Sequence, residues 1–179
     1  MGEPPNMISN ARRVFGYAHL AAGRAADAVA PARAALAQHT TQEHTTQAAQ
    51  LLAEALLQAG DLPGAAAAAE DAIALCRRAL RGHYEALSHG VLARALLRRD
   101  GTAVRNAVEA ALACAAELIE RTGARTLAPA LCEWRAELAS GLGDAARWEQ
   151  LLREAQRLYN QIGAPGHVER VGRLLTAAP

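Results

Sequence analysis

Histidines are the first residues in this sequence that could bind a metal ion or move a proton. His39 and His44 lie five residues apart, and His83 and His89 lie six apart. Neither spacing matches the i, i+4 arrangement that places two imidazoles on one helix face around a zinc ion. The other two histidines stand alone in the sequence. We therefore expect the histidines to be solvated or capping residues and not metal ligands.

Acidic residues and lysine decide whether the chain could hold the phosphates of a nucleotide. The chain contains no lysine, so it cannot form the P-loop motif G-x-x-x-x-G-K-S/T. Paired metal-binding carboxylates are not evident either, because the aspartates are spread over separate segments, mostly at predicted turns or helix ends. These aspartates are Asp27, Asp61, Asp71, Asp100 and Asp144. The sequence predicts no catalytic residue, no cofactor and no metal ion.

The cysteines and the apolar segments bear on the cellular compartment. Cys76, Cys114 and Cys132 lie far apart in alanine- and leucine-rich segments and form no C-x-x-C pair, which is typical of reduced, buried thiols. The N-terminus lacks the charged start and apolar stretch of a secretory signal. No apolar run approaches the roughly 20 residues of a membrane span. We expect a cytoplasmic protein that does not insert into a membrane.

The overall charge and composition limit the partners and the core. The net charge is +1, from 19 basic and 18 acidic residues. Nucleic acids and anionic membranes prefer strongly basic surfaces, so neither is expected as the main partner. Hydrophobic residues make up 51% of the chain but aromatic residues only 3%, so the core must consist of alanine, leucine and valine. This composition favours helix throughout.

Turn residues and small residues recur at regular intervals along the chain, and the repeated segments they define would position any functional site. Four turn residues are separated by 37, 40 and 43 residues, and a small residue lies seven positions before each. The turn residues are Gly23, Gly60, Asp100 and Gly143, and the small residues are Gly16, Ala53, Ala93 and Ala136. Small residues at fixed offsets with a period of this size are typical of a solenoid of helical hairpins. The sequence therefore predicts an all-α solenoid in which antiparallel hairpins stack on one another.

The run of five alanines from 65 to 69 fits this interpretation. In a hairpin solenoid the second helix packs both on its own partner and on the next hairpin, so small side chains are useful on two sides. Ala28 and Ala65 lie five residues after their turns, and Ala107 does so if the third loop carries two extra residues. The positions twelve residues after the turns are Ala35, Ala72 and Ala155, and Cys114 joins them under the same allowance of two extra residues.

Capping signals divide the chain, taken as a single domain over 1–179, into hairpins. We predict hairpins at about 8–38, 41–81, 84–122 and 127–162, and a C-terminal capping helix at 167–176. The predicted N-caps are Thr40 (with Glu43 as its capping-box partner), Asp61, Thr102, Thr126 and Asp144, and the predicted helix stops are Gly82, Gly123 and Gly163. The N-terminal end has no equivalent cap, which leaves a homo-oligomer possible through that end.

This pattern of turns and alanines resembles the tetratricopeptide repeat, in a longer and degenerate form. The segment 121–175 also resembles the C-terminal repeats of bacterial signalling proteins that join a class III adenylate or guanylate cyclase to an ATPase module. The likeness lies in Gly123-Ala124-Arg125, Gly143-Asp144 and the ending IGAPGHVER at 162–170. Related ATPase-linked transcription regulators carry similar repeats. Nothing in the chain resembles the catalytic parts of those proteins.

The resemblance implies a non-catalytic scaffold that binds a protein partner or other domains of a parent signalling assembly. One alternative is a C-terminal fragment of a cyclase or ATP-dependent regulator whose catalytic domains are encoded elsewhere. Another is a small-molecule sensor with an apolar pocket between repeats. Trp134 and Trp148 flank the last turn and are expected either to pack across it or to anchor a partner.

The first helix of each hairpin should line the concave face, as in tetratricopeptide proteins. The residues expected to point into it are Arg13, Tyr17, Gln50, Glu54, Arg94, Arg98, Glu133 and Glu137. Arg94 and Arg98 would form a positive stripe beside a negative stripe of Glu133 and Glu137. Reversing the charges of the two arginines is therefore expected to weaken partner binding with little change in melting temperature.

Overall fold

The computed structural model describes residues 5–38 and 41–177, and these residues form nine α-helices and two short 3-10 helices without a β-strand. The α-helices are α1 (Pro5–Ala21), α2 (Ala25–Leu36), α3 (Gln42–Ala59), α4 (Leu62–Arg78), α5 (Gly82–Asp100), α6 (Arg105–Thr122), α7 (Ala128–Gly141), α8 (Ala145–Gln161) and α9 (Pro165–Thr176). The 3-10 helices are Gly101–Val104, before α6, and Arg125–Leu127, before α7. The predicted all-α fold is confirmed.

Each helix packs on the next one along the chain, which confirms the solenoid-like arrangement. The first helices of successive hairpins also contact one another, α1 with α3, α3 with α5, and α5 with α7. No comparable contact joins the second helices α2, α4, α6 and α8 within the described residues. The stack is therefore tighter on the side of the first helices, and this side is its inner face.

The core is continuous from one hairpin to the next. One cluster of buried side chains joins α2, α3, α4 and α5, a second joins α5, α6 and α7, and a third joins α7, α8 and α9. Val171 of α9 is completely buried in the third cluster, so α9 packs on the C-terminal end of the stack. Because neighbouring hairpins share these clusters, the stability of each hairpin depends on the next.

The alanine run on α4 is buried on two sides, as a doubly packed helix requires. Ala65 and Ala69 are fully buried and Ala66 is nearly so, whereas Ala67 is exposed. The small residues seven positions before the turns are likewise buried, from Gly16 on α1 to the alanines of α3, α5 and α7. Alanine allows the helix axes to approach closely on both sides of α4.

The register of the third hairpin differs from the prediction. Ala107 is exposed and Cys114 is half-buried, whereas Val108 and Ala115, one residue further on, are buried. The four-residue 3-10 helix Gly101–Val104 occupies this loop, and the buried positions lie one residue beyond the two extra residues that were expected.

Several predicted caps form, since their geometry is local. Asp61 accepts a hydrogen bond from the backbone N–H of Gly64 at 3.0 Å, and Asp144 accepts one from Arg147 at 2.9 Å. Gly123 ends α6 with φ of 68°, in the left-handed region that favours glycine. Each cap satisfies a backbone group that the helix itself leaves unpaired.

Other predicted caps were wrong. Thr102 and Thr126 lie inside the two 3-10 helices, and neither 3-10 helix nor the α-helix that follows has a side-chain cap. Gly82 begins α5 and does not end α4; the left-handed residue of that turn is Leu80, with φ of 55°. Thr40 lies outside the described residues, and the cap of α3 is Thr41, which accepts from the N–H of His44 at 3.3 Å.

None of the helices in the described residues is both long enough and apolar enough to cross a membrane.

Candidate interaction groove

A groove runs along the inner face of the C-terminal half of the stack. Its volume is about 1120 Å³, and its walls come from α3, α5, α7, α8 and α9. Apolar side chains on its surface include Leu97, Trp148, Leu152 and Leu174. The groove contains five of the eight predicted concave residues: Glu54, Arg94, Arg98, Glu133 and Glu137.

Arg94 lies between two carboxylates that come from the neighbouring hairpins. Its Nη1 donates to Glu54 of α3 at 3.3 Å, and its Nε donates to Glu137 of α7 at 3.1 Å. The Arg94 side chain is only 16% exposed. Burial alone would lower its pKa, but the two carboxylates outweigh burial and raise the pKa above its usual value. This arginine therefore holds three successive hairpins together at the inner face.

Arg98 completes the network, because its Nη2 donates to both carboxylate oxygens of Glu137 at 3.1 and 3.2 Å. Both arginines of the predicted positive stripe are thus bonded to Glu137, one of the two residues of the predicted negative stripe. Arg98 remains 40% exposed, whereas Arg94 is enclosed. Both arginines were expected to tolerate charge reversal with little change in melting temperature. For Arg94 the structure argues against this, because an acidic residue there would lie beside the partly buried carboxylates of Glu54 and Glu137.

Glu133, the remaining predicted acidic residue, binds within the C-terminal hairpin and α9. Arg170 donates to its two oxygens at 2.6 and 2.7 Å, and the Tyr159 hydroxyl donates at 2.7 Å. Burial opposes ionisation, but these hydrogen bonds outweigh it and hold the pKa of Glu133 below its usual value. Burial and Glu133 both raise the pKa of Tyr159. His167 stacks on the Tyr159 ring with centroids 4.5 Å apart. The cluster fastens α9 to α7 and α8.

Arg13, Tyr17 and Gln50 do not line the groove, because they lie on α1 and on the first half of α3. Arg13 donates to Asn10 at 2.6 Å on its own helix. The Tyr17 hydroxyl donates to the amide oxygen of Gln50 at 3.4 Å, and Gln50 is only 5% exposed. Tyr17 and Gln50 thus join α1 to α3, and the predicted site is divided between two regions of the inner face.

The two tryptophans belong to different parts of the core. Trp134 is buried in the cluster of α5, α6 and α7, where its ring lies directly over Gly90. Trp148 is half-buried and packs against the cluster of α7, α8 and α9. Both rings reach the groove surface. Trp148, on α8, is the one of the two that keeps a partly exposed face for a ligand.

One histidine differs from the expected solvated or capping role. His89 of α5 is only 6% exposed, and its Nε2 lies 3.4 Å from Arg77 Nη2 and 3.9 Å from Glu85 Oε1. Burial, and then the charge of Arg77, lowers its pKa, and Glu85 opposes the shift only in part. Arg77 also donates to Glu85 at 2.7 Å, so this cluster joins α4 to α5.

The other candidate chemical groups are dispersed or enclosed. Among residues 5–38 and 41–177, no three histidine, cysteine, aspartate or glutamate side chains lie close enough to hold a metal ion. The described cysteines are free thiols; burial, followed by the nearby Glu85, raises the pKa of Cys76 to about 12. A thiol with that pKa is a poor nucleophile at neutral pH.

Sequence reasoning missed Tyr159, Arg170 and Leu174 as parts of the groove. All three lie on α8 and α9, whereas the concave residues were sought on first helices alone. The available signal was the apolar stripe of Val168, Val171, Leu174 and Leu175 in the predicted capping helix. Three of these residues pack into the core, whereas Leu174 lies at the groove.

No protein-family model matches this chain. No curated protein matches it either.

Proposed function

We propose that this chain is a non-catalytic scaffold that binds a segment of a protein partner in the groove formed by α3, α5, α7, α8 and α9. The observation that carries the proposal is the groove itself, about 1120 Å³ of open space along the inner face, with apolar side chains beside hydrogen-bonding ones. A groove of this size that is partly open to solvent can hold a helix or an extended peptide.

Because several charged side chains of the groove are already paired, we expect a ligand to bind mainly through apolar contacts and to be oriented by a few polar ones. Glu54, Arg94 and Glu137 are bonded to one another, so a ligand gains little from them without breaking existing bonds. Leu174, at 44% exposure, and the free face of Trp148 offer apolar contact instead. The partly exposed guanidinium of Arg98 is available at the rim for a carboxylate or a carbonyl oxygen. We infer an amphipathic helical segment as the ligand.

The biological setting follows from the resemblance of the C-terminal segment to the repeats of cyclase–ATPase signalling proteins. On that basis we place the chain in the cytoplasm as a regulatory scaffold of bacterial signalling. Its ligand is then a separate protein or another domain of the same assembly.

A small-molecule sensor is a second candidate, favoured by the same cavity. Binding pockets for small molecules commonly have volumes of about 300–1,000 Å³ and bury most of the ligand. This groove is as large as such pockets but only partly enclosed. Partial enclosure favours a polypeptide ligand. The scaffold and the sensor can be distinguished by whether the bound molecule is a protein or a small molecule.

The test compares binding partners captured from the source cell by the parent protein and by groove variants. Ser140→Trp places a large ring in the groove at an exposed position, and Leu174→Glu places a charge on its apolar surface. Asn106→Trp adds the same ring at an exposed position of α6 outside the groove. We expect one set of proteins to be captured by the parent and by Asn106→Trp and lost with both groove variants. Identical capture by all four proteins would place the binding surface elsewhere.

A further inference from the structure

The first helix of the stack has an apolar stripe that faces solvent. Met7, Val14 and Phe15 are 61%, 56% and 62% exposed, and the exposed Ala11 and Ala18 lie on the same face of α1. These positions recur at helical spacing and span about 16 Å at 1.5 Å per residue.

The equivalent positions in the next hairpins form contacts between neighbouring hairpins. Val14, Leu51, Val91 and Trp134 each lie nine residues before the turn residue of their hairpin. Leu51 packs on Gly16 of α1, and Trp134 packs on Gly90 of α5, so this position contacts the first helix of the preceding hairpin. Leu51 and Val91 are almost fully buried. In α1 the same surface is present without a covering helix in the part of the chain that the structure describes.

The alanines of the stripe follow the same register. Ala18 corresponds to Ala55 and Ala95, which are completely buried, and Ala11 corresponds to the completely buried Ala48. The stripe therefore continues an interface that the molecule already uses between its own hairpins. A helix that presents a matching apolar stripe is the expected occupant.

The C-terminal end of another copy cannot supply that helix. There α9 buries Val171 against α8 and leaves Glu169, Arg173 and Thr176 exposed along its outer side. A head-to-tail arrangement would press this polar surface against the apolar stripe. An arrangement in which two equivalent surfaces meet about a two-fold axis avoids the mismatch.

The order of large and small residues on α1 suits such an arrangement. When two copies of α1 run antiparallel with the axis between positions 12 and 13, Met7 faces Ala18 of the second copy and Ala11 faces its Val14. Met7 and Val14 then each meet an alanine, and Phe15 lies opposite Asn10 of the second copy. At 100° per residue, Arg12 and Arg13 lie well outside the stripe, so the guanidinium groups are not forced together.

We propose that the α1 stripe is a homodimer interface, in which the stripe of a second copy covers Met7, Val14 and Phe15. This surface lies on α1 and does not overlap the groove residues on α3 to α9. The dimer and the groove ligand can therefore be tested independently of each other.

Sedimentation velocity over a dilution series tests the dimer. We expect the parent to sediment as a dimer that dissociates on dilution, and Phe15→Asp to raise the dissociation constant by about a hundredfold, since it buries a charge at an apolar contact. Leu80→Asp is the matched control, because Leu80 is 91% exposed and lies outside the stripe. It should dimerise like the parent. Circular dichroism checks that each variant is folded, and Val14→Ser serves as a milder replacement if Phe15→Asp is not.

Cysteine pairing tests the antiparallel register. A mixture of Ala11→Cys and Val14→Cys proteins should form disulfide-linked dimers on mild oxidation well above the level of the parent, which has its own free thiols. A protein with Arg12→Cys, away from the stripe, should stay at the parent level. A parent that remains monomeric at every concentration, or a dimer that Phe15→Asp and Val14→Ser leave intact, would overturn the proposal.

Discussion

The indole ring of Trp134 lies so close to Gly90 that a β-carbon built on the glycine would be 2.5 Å from the ring. This contact joins α7 directly to α5. It matters for the packing of α7, because α6 and α7 contact each other less than most consecutive helices do. Gly90 is thus required by the approach of the ring, since it lies inside α5, where alanine would otherwise be the better helix former.

Replacing Gly90 with alanine should therefore destabilise the protein, although alanine stabilises an ordinary helix. The added methyl group would displace Trp134 from a packed core, at a cost of about 1–3 kcal/mol. The measurement is the free energy of unfolding in urea. Gly166→Ala is the control, because no atom lies within 4 Å of a β-carbon at that position on α9. Equal effects of the two substitutions would contradict the close contact.

Replacing Ala65 with leucine should destabilise the hairpin of α3 and α4 by about 1–3 kcal/mol, since Ala65 is completely buried. Ala67→Leu, two residues further along the same alanine run, should have little effect because Ala67 is exposed. Thermal unfolding of the three proteins gives the comparison. If both leucine variants unfolded at the parent temperature, α4 would not be tightly packed on two sides.

Removing the charge of Arg94 should cost far more stability than removing that of Arg98. Arg94→Gln leaves Glu54 and Glu137 without their shared, largely buried partner, at a cost of about 2–3 kcal/mol. Arg98→Gln breaks a more exposed pair and should cost less than about 1 kcal/mol. Urea unfolding of both variants provides the measurement. A larger loss for Arg98 would show that the hairpins are not held together through Arg94.

Lowering the pH below about 6.5 should destabilise the protein through His89. Its pKa is lowered in the folded state from the ordinary value of 6.5, so the unfolded chain takes up its proton first. The stability that His89 contributes as a neutral side chain is complete above that value, and it is lost as the pH falls towards the folded-state pKa. The melting temperature should therefore decline from pH 7 to pH 5.

His89→Gln should reduce this decline, and His83→Gln, at an exposed position of the same helix, should not. A decline of equal steepness in the parent and in His89→Gln would assign the pH dependence to other groups. The contribution of Glu133 to stability is lost only at lower pH, because its pKa lies below the usual value for glutamate.

Local features of this fold could be predicted from sequence, and distant contacts could not. The caps Asp61 and Asp144 bond to backbone groups three residues away, so the sequence around each contains the whole motif. Thr102 failed as a cap because the chain continues into a 3-10 helix, which composition does not indicate. The bond from Arg170 to Glu133 joins residues 37 apart and depends on how α9 folds back over α7 and α8.

The concave residues illustrate the same limit. Arg94 and Glu137 were placed on the inner face by their offset from the turns, and the structure brings both to the groove. Their bond to each other was missed, because offset fixes the face of a helix but not the distance between side chains of neighbouring hairpins. Arg13, Tyr17 and Gln50 have similar offsets, yet the groove does not extend to them.

The central claim is that the groove binds a polypeptide segment, and the most direct measurement is the affinity of a selected peptide. Peptides enriched from a random display library on the parent protein would be titrated against the parent, Ser140→Trp and Asn106→Trp, with tryptophan fluorescence or calorimetry as the readout. We predict that the peptides bind the parent and Asn106→Trp equally and bind Ser140→Trp at least about tenfold more weakly, a loss of about 1.4 kcal/mol. Equal affinity for all three proteins would contradict the claim.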